Sequence, residues 1–95
     1  MEFLLRRTDG SWFDLRREQF GEVLKPSSYA SRIVAGWGDH RIEVDGVEVA
    51  FSFEDPGIQV SFDGRIDAAT ASRIVEEVLA SVETKTGQRG TVVPL

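Results

Sequence analysis

The stretch that decides the fold covers residues 41–63 and reads RIEVDGVEVAFSFEDPGIQVSFD. Apolar and polar residues alternate through it, with two interruptions, DG at 45–46 and DPG at 55–57. Strict alternation is typical of a half-buried antiparallel strand, whose side chains point to opposite faces in turn. The stretch therefore predicts three consecutive strands joined by two tight turns.

Both turns predict the same arrangement of apolar side chains. The DG pair at 45–46 favours a two-residue hairpin loop because both residues tolerate a positive φ. The PG pair at 56–57 suits the two central positions of a type II turn. Every large apolar side chain then lies on one face of an antiparallel meander. The predicted pairs are Val44–Val47, Ile42–Val49, Phe53–Ile58, Phe51–Val60 and Val49–Phe62.

An amphipathic helix over residues 67–85 is predicted to cover that apolar face. Asp67 suits its N-cap and Gly87 suits a left-handed residue at its end. After the helix, residues 91–94 form a short last strand that ends at Pro94. A right-handed crossover would place this strand parallel to residues 58–63. The apolar stripe of the helix consists of Ala71, Ile74, Val75, Val78, Leu79 and Val82.

The N-terminal segment has a weaker pattern and leaves two alternatives open. Residues 2–7 resemble a strand, and the DG pair at 9–10 predicts a hairpin that returns through residues 11–15. The alternative for residues 11–25 is a single helix from Trp12 to Lys25, which Gly21 would weaken by about 1 kcal/mol. We favour the hairpin.

A short helix at residues 17–24 follows in the favoured interpretation, and residues 26–39 form a loop. The sequence thus predicts a single small α+β domain over residues 1–95. Its antiparallel sheet has five or six strands in the order ββα-βββ-α-β. One long amphipathic helix packs on one face of that sheet. The short helix at residues 17–24 is the second helix of the domain.

Composition limits the classes of protein. The 95 residues carry 16 acidic and 11 basic side chains, for a net charge of −5, which makes nucleic-acid binding unlikely. No apolar run approaches the roughly 20 residues of a membrane span. The chain has no cysteine and one histidine, so we expect neither a metal site nor a cofactor. The start, MEFLLRR, is unlike a secretion signal, and the composition suggests a bacterial, cytoplasmic protein.

Trp37 stands between two glycines in a small, polar loop and is followed by Asp39 and His40. An exposed tryptophan there would anchor a protein partner. We favour the alternative, in which Trp37 plugs one end of the core, because small domains need every large apolar group. Neighbours in an extended chain point to opposite faces, so Asp39 is badly placed to orient His40 for catalysis. All three are candidate binding residues.

Arginines near Trp12 form a second candidate site. In the predicted N-terminal hairpin, Arg7 faces Trp12 and Arg16 lies on the same side. Guanidinium groups beside an aromatic ring bind phosphate or stack on a base. We favour a plainer interpretation, in which the arginine stems cover the ring and their heads meet Asp14 and Glu18 in solvent.

The predicted function is a non-enzymatic protein-binding module. One concrete form is a small acidic inhibitor of a basic protein, such as the immunity partner of a toxin. Residues 42–95 carry ten acids and four bases, which favours a basic partner. The expected surfaces are this acidic half, the loop at 26–39, or a free strand edge such as 91–94. Two alternatives remain: a homodimer formed through a strand edge, and a small ligand-binding protein or enzyme with a carboxylate/arginine site.

Overall fold

The computed structural model describes residues 1–55 and 57–95, which form one antiparallel sheet and two helices. The helices are α1, Phe20–Val23, which continues a 3-10 turn at Arg17–Gln19, and α2, Ala68–Thr86. The strands are β1 (Glu2–Arg7), β2 (Ser31–Ile33), β3 (His40–Val44), β4 (Val47–Glu54), β5 (Gly57–Asp63) and β6 (Gly90–Pro94). They lie in the order β2-β3-β4-β5-β1-β6, which confirms the predicted α+β class.

The predicted meander is β3, β4 and β5, and all its predicted residue pairs are present. At the first turn, Asp45 has φ 53° and Gly46 has φ 78°, the two positive values that a two-residue hairpin loop needs. Pro56 lies outside the described residues, so the type of the second turn stays a prediction. The alternation and the first turn together determined the register correctly.

Helix α2 covers the apolar face as predicted. Its N-cap is Asp67, whose Oδ1 accepts a hydrogen bond of 2.9 Å from the Thr70 N–H. The helix ends at Gly87, which has φ 72°, the left-handed conformation that glycine adopts most readily. The buried residues of the helix are those of the predicted stripe: Ala71, Ile74, Val75, Val78, Leu79 and Val82.

Strand β6 joins the sheet beside β1. It runs in the same direction as β5, as predicted, because β1 is antiparallel to both strands. However, β1 lies between them, so β5 and β6 do not pair. Consequently both edges of β1 are used, one by β5 and the other by β6.

The predicted return strand at residues 11–15 is wrong, and so is the alternative helix over residues 11–25. Because β1 has no free edge, a hairpin partner has nothing to pair with. This part of the chain instead crosses the end of the core, where Phe13 and Leu15 are buried. A Cβ at Gly90 would lie 2.6 Å from Phe13 Cζ, so glycine lets this crossing pack against β6.

The predicted short helix is present, with Phe20, Val23 and Leu24 buried, but the loop at 26–39 contains a strand. Residues 31–33 form β2, which pairs with β3 at the edge of the sheet. The order of elements is therefore β-α-ββββ-α-β, with the second strand after α1 instead of before it. A strand of three residues is too short to show a period in the sequence.

The two faces of the sheet differ in chemistry. On the face that we call the helix face, α2 packs through its buried stripe, and α1 packs through Phe20, whose ring stacks on Phe53 at 5.0 Å between centroids. The opposite face, which we call the outer face, carries most of the polar side chains of the meander. Within residues 1–55 and 57–95, no helix is long and apolar enough to cross a membrane.

We expect the substitution Val78→Asp to unfold the domain. Val78 is fully buried on α2, and an unpaired carboxylate there would be desolvated at a cost of several kcal/mol. Urea denaturation followed by circular dichroism measures the loss. Ala80→Asp is the matched control, since Ala80 is exposed on the same helix. Equal stabilities of the two variants would contradict the packing of α2.

Candidate functional site

A row of three carboxylates crosses the outer face of the sheet. Glu43 on β3 pairs directly with Glu48 on β4, and Glu48 pairs with Asp63 on β5. Like charges directly opposite each other across strands destabilise a sheet. The row therefore needs cations beside it.

Two arginines supply those cations. Arg41 donates from Nε to Glu48 Oε1 at 2.6 Å and from Nη2 to Asp63 Oδ2 at 2.8 Å. Arg32 on β2 donates from Nε to Glu43 Oε1 at 2.8 Å. The hydrogen bond to Glu48 is the main cause that raises the pKa of Arg41 above its ordinary value, and the bond to Glu43 does the same for Arg32. Both guanidinium groups stay charged, and the row is held in place.

The side chain of Arg41 is buried although it lies on the outer face. Only 6% of it is exposed, because the loop between β2 and β3 folds over it. The Trp37 ring covers the guanidinium, with 5.6 Å between Arg41 Cζ and the ring centroid. A Cβ at Gly36 would overlap the Arg41 side chain, so glycine is required for this close approach. Nη1 of Arg41 is buried and has no hydrogen-bond partner among the described residues.

The loop that carries Trp37 is tied to the sheet at both ends. Before it, the Val34 N–H donates to Arg41 O at 3.0 Å. After it, the Asp39 N–H donates to Phe51 O at 2.8 Å, and Asp39 Oδ2 accepts from the Phe53 N–H at 2.7 Å. Asp39 Oδ1 also lies 3.6 Å from Arg17 Nη2. Asp39 thus fixes the loop, and its observed contacts do not include the His40 ring.

The favoured interpretation, in which Trp37 plugs the core, is wrong, because 58% of Trp37 is exposed. The buried apolar residues of the crossing segment are Phe13, which packs against Gly90 of β6, and Leu15; the hairpin prediction places both on a strand. Trp37 lies over a charged side chain on the outer face, beside the row of carboxylates. Its exposed surface is therefore available for contact while its loop is fixed.

We call Trp37 together with the row of carboxylates and the acidic residue next to it the Trp37 patch. Asp45 is included because it is exposed at the turn between β3 and β4 and lines the same shallow depression as Glu43. The side chains of Glu48 and Asp63 are 41% and 66% exposed, so carboxylates bound to the covered arginine still reach solvent. The patch consists of Trp37, Glu43, Asp45, Glu48 and Asp63.

His40 lies on the helix face, next to the rings of Phe20 and Phe51, whose centroids are 6.0 and 5.9 Å from its own. Its Nε2 is buried and has no hydrogen-bond partner among the described residues. Burial lowers the pKa of His40 below its ordinary value near 6.5. His40 is the first residue of β3, and because its ring lies between aromatic rings it stays neutral and contributes to packing.

The arginine site is not assembled as the hairpin would have assembled it. Arg7 pairs with Asp9 at 2.8 Å and donates to the backbone oxygen of Trp12 at 2.9 Å. Arg16 pairs with Glu18 at 2.9 Å. Arg7 ends β1, which β4 and β5 separate from β3 and its Trp37 loop. Arg16 directly precedes Arg17, whose guanidinium contacts Asp39. The hairpin arrangement of Arg7, Trp12 and Arg16 is therefore not formed.

Sequence reasoning missed Arg41, the residue that joins the Trp37 patch. A signal for a cation at this place was available from the hairpin register, which places Glu43 directly opposite Glu48. Such a pair of like charges indicates that a cation lies near. Which arginine supplies it, and that a tryptophan covers that arginine, depends on where the loop folds.

No other protein supplies a function by similarity. No family model matches the sequence, and neither a curated protein nor a solved structure gives a significant match. In the part of the chain that the structure describes, no group of three potential metal ligands is close enough to hold an ion.

We expect the protein to lose stability as the pH falls below about 6.5. The lowered pKa of His40 means that the folded state binds fewer protons than the unfolded state in this range, so stability rises with pH. The contribution is complete above the unfolded pKa near 6.5 and is lost as the pH falls through the lowered value. Urea titrations at about pH 7.5 and 5.5 measure it. The control His40→Phe should show a smaller fall, and an equal fall would contradict this origin.

We expect the variant Trp12→Phe to show the fluorescence of an exposed tryptophan. The chain has two tryptophans, so Trp37 is then the sole emitter, and 58% of it is exposed. A neutral quencher, acrylamide, should reach it nearly as well in the folded as in the urea-unfolded protein. Blue-shifted emission that resists acrylamide would mean that Trp37 is buried.

Proposed function

We propose that this chain is a protein-binding module, and that it binds a basic protein through the Trp37 patch without catalysing a reaction. The observation that carries the proposal is an exposed tryptophan whose loop is tied to the sheet and whose ring is stacked on a buried arginine. Tryptophan is enriched among the residues that dominate binding energy at interfaces. A ring that is already held in place loses little freedom on binding.

The charges around Trp37 support a partner rich in lysine or arginine. Glu48 and Asp63 bind the arginine under the ring, Glu43 continues their row and Asp45 lies at the adjoining turn. The whole chain has a net charge of −5. Opposite charges accelerate encounter and favour the correct orientation, and salt screens this attraction. Trp37 covers Arg41, whose guanidinium holds Glu48 and Asp63, so a cation of the partner that contacts the tryptophan would lie near this acidic row.

A binding role fits the side chains better than a catalytic one. Glu43, Glu48 and Asp63 each form an ion pair with Arg32 or Arg41, so their contacts within the chain are those of groups that hold the outer face together. The concrete form that we propose is an inhibitor that covers a basic surface of its target, as an immunity protein covers a toxin. The cytoplasmic location and bacterial origin inferred from composition remain predictions.

Affinity capture from a lysate of the source organism tests this function. We expect the tagged chain to retain a basic protein at about 50 mM salt and to release it at about 500 mM. Trp37→Ala should weaken that complex at least about tenfold, since a central tryptophan contributes more than about 1.4 kcal/mol. Asp45→Asn should weaken it less, by removing one charge while keeping a residue that tolerates the turn.

Matched controls separate the patch from general effects. Trp12→Ala removes the other tryptophan, which is 45% exposed near β1. Glu76→Gln removes a charge from an exposed position of α2. Both variants should retain the partner. Recovery of no partner, or of one that Trp37→Ala binds as well as the parent, would contradict the proposal.

A further inference from the structure

The two edge strands of the sheet, β2 and β6, differ in how many of their outward backbone N–H groups are free to pair with another strand. In the pair of β1 and β6, Thr8 N–H donates to Arg89 O and Leu95 N–H donates to Glu2 O. Because hydrogen-bonded positions alternate along an antiparallel pair, Gly90, Val92 and Pro94 direct their backbone groups away from β1. Gly90 N–H already donates to Glu83 Oε2 at 3.0 Å, and proline has no N–H. The β6 edge, one of the three binding surfaces expected from the sequence, is therefore left with a single outward N–H among these residues, that of Val92.

The β2 edge is open by the same reasoning. Val34 N–H donates to Arg41 O at 3.0 Å, so Arg32 and Val34 direct their backbone groups to β3. Ser31 and Ile33 direct their N–H and C=O groups away from the sheet. Ile33 is 64% exposed, with its side chain on the helix face opposite Ile42. An unpaired backbone beside an exposed apolar residue is a template for another strand.

We propose that β2 pairs with β2 of a second copy of this chain, antiparallel and with Ile33 on the two-fold axis. Two copies of one edge are self-complementary, as a two-fold interface requires. In this register Ile33 of each copy donates to the Ile33 carbonyl of the other, and the two exposed side chains cover each other. The residue with the most exposed apolar surface on this edge is then at the centre of the interface.

The charge of Arg32 selects this register. If residue 32 lay on the axis, the two Arg32 side chains would be directly opposite each other on the outer face, which is destabilising. With Ile33 on the axis, Arg32 of one copy is opposite Val34 of the other. Each Arg32 then keeps its own partner, Glu43, at 2.8 Å.

This pairing would join the two sheets into one of twelve strands, twice the six of one chain. The two-fold axis of an antiparallel strand pair is perpendicular to the sheet, so both outer faces point to the same side. The two Trp37 patches would then share one surface. If the proposed function holds, a partner with two basic segments would gain avidity from this arrangement.

Sedimentation velocity from about 10 µM to about 1 mM tests the dimer without any partner protein. The strand is short, so we expect a weak dimer that assembles at hundreds of micromolar. Ile33→Lys should raise the dissociation constant at least about tenfold, because it places two like charges on the axis. Ile33→Pro should do the same by removing the central donor, which makes no bond to β3 in the monomer.

Thr91→Lys on β6 is the control and should leave the dimer unchanged. Since Ile33 is exposed, both Ile33 variants should unfold at nearly the same urea concentration as the parent. This result would show that they fold. A monomer at about 1 mM would overturn the proposal. A dimer that Ile33→Lys does not weaken would also overturn it. Larger oligomers that Thr91→Lys disrupts would overturn it too, because they would indicate that β2 pairs with β6.

Discussion

Burial of the apolar face of β3, β4 and β5 against α2 is the constraint on which the rest of the structure depends. The meander places its large apolar side chains on one side, and α2 covers them with a stripe of six buried residues. Water is excluded from this layer, and the remaining elements are arranged around it. Strand β1 extends the sheet beside β5, and Phe13 and Leu15 close the end of the core.

The alternation that builds the core also builds the outer face. Every second residue of the meander points away from α2, and the register then forces Glu43, Glu48 and Asp63 into one row. Arg41 relieves the repulsion within this row from a buried position, and Trp37 covers the arginine. The exposed tryptophan is thus a consequence of how an acidic row is stabilised, and the same arrangement gives a rigid surface that suits a basic partner.

The edges of the sheet show how the fold controls association. At β6, Glu83 from α2 and Pro94 together leave few donors for another strand, which protects that edge from unspecific pairing. At β2 the backbone remains open beside Ile33. The proposed contact with a partner on the outer face and the proposed pairing of strands at β2 use different groups, so the two proposals are compatible.

The meander, its register, α2 with both its caps and the α+β class follow from the sequence alone, because alternation, helical periodicity and turn residues are local properties. The neighbours of β1, the path of residues 11–15 and the existence of β2 depend on tertiary contacts, since strand pairing depends on which distant edges are free. The same is true of the site. Glu43 and Glu48 can be paired from the hairpin alone, whereas the cover of Trp37 over Arg41 depends on a loop that folds back across the sheet.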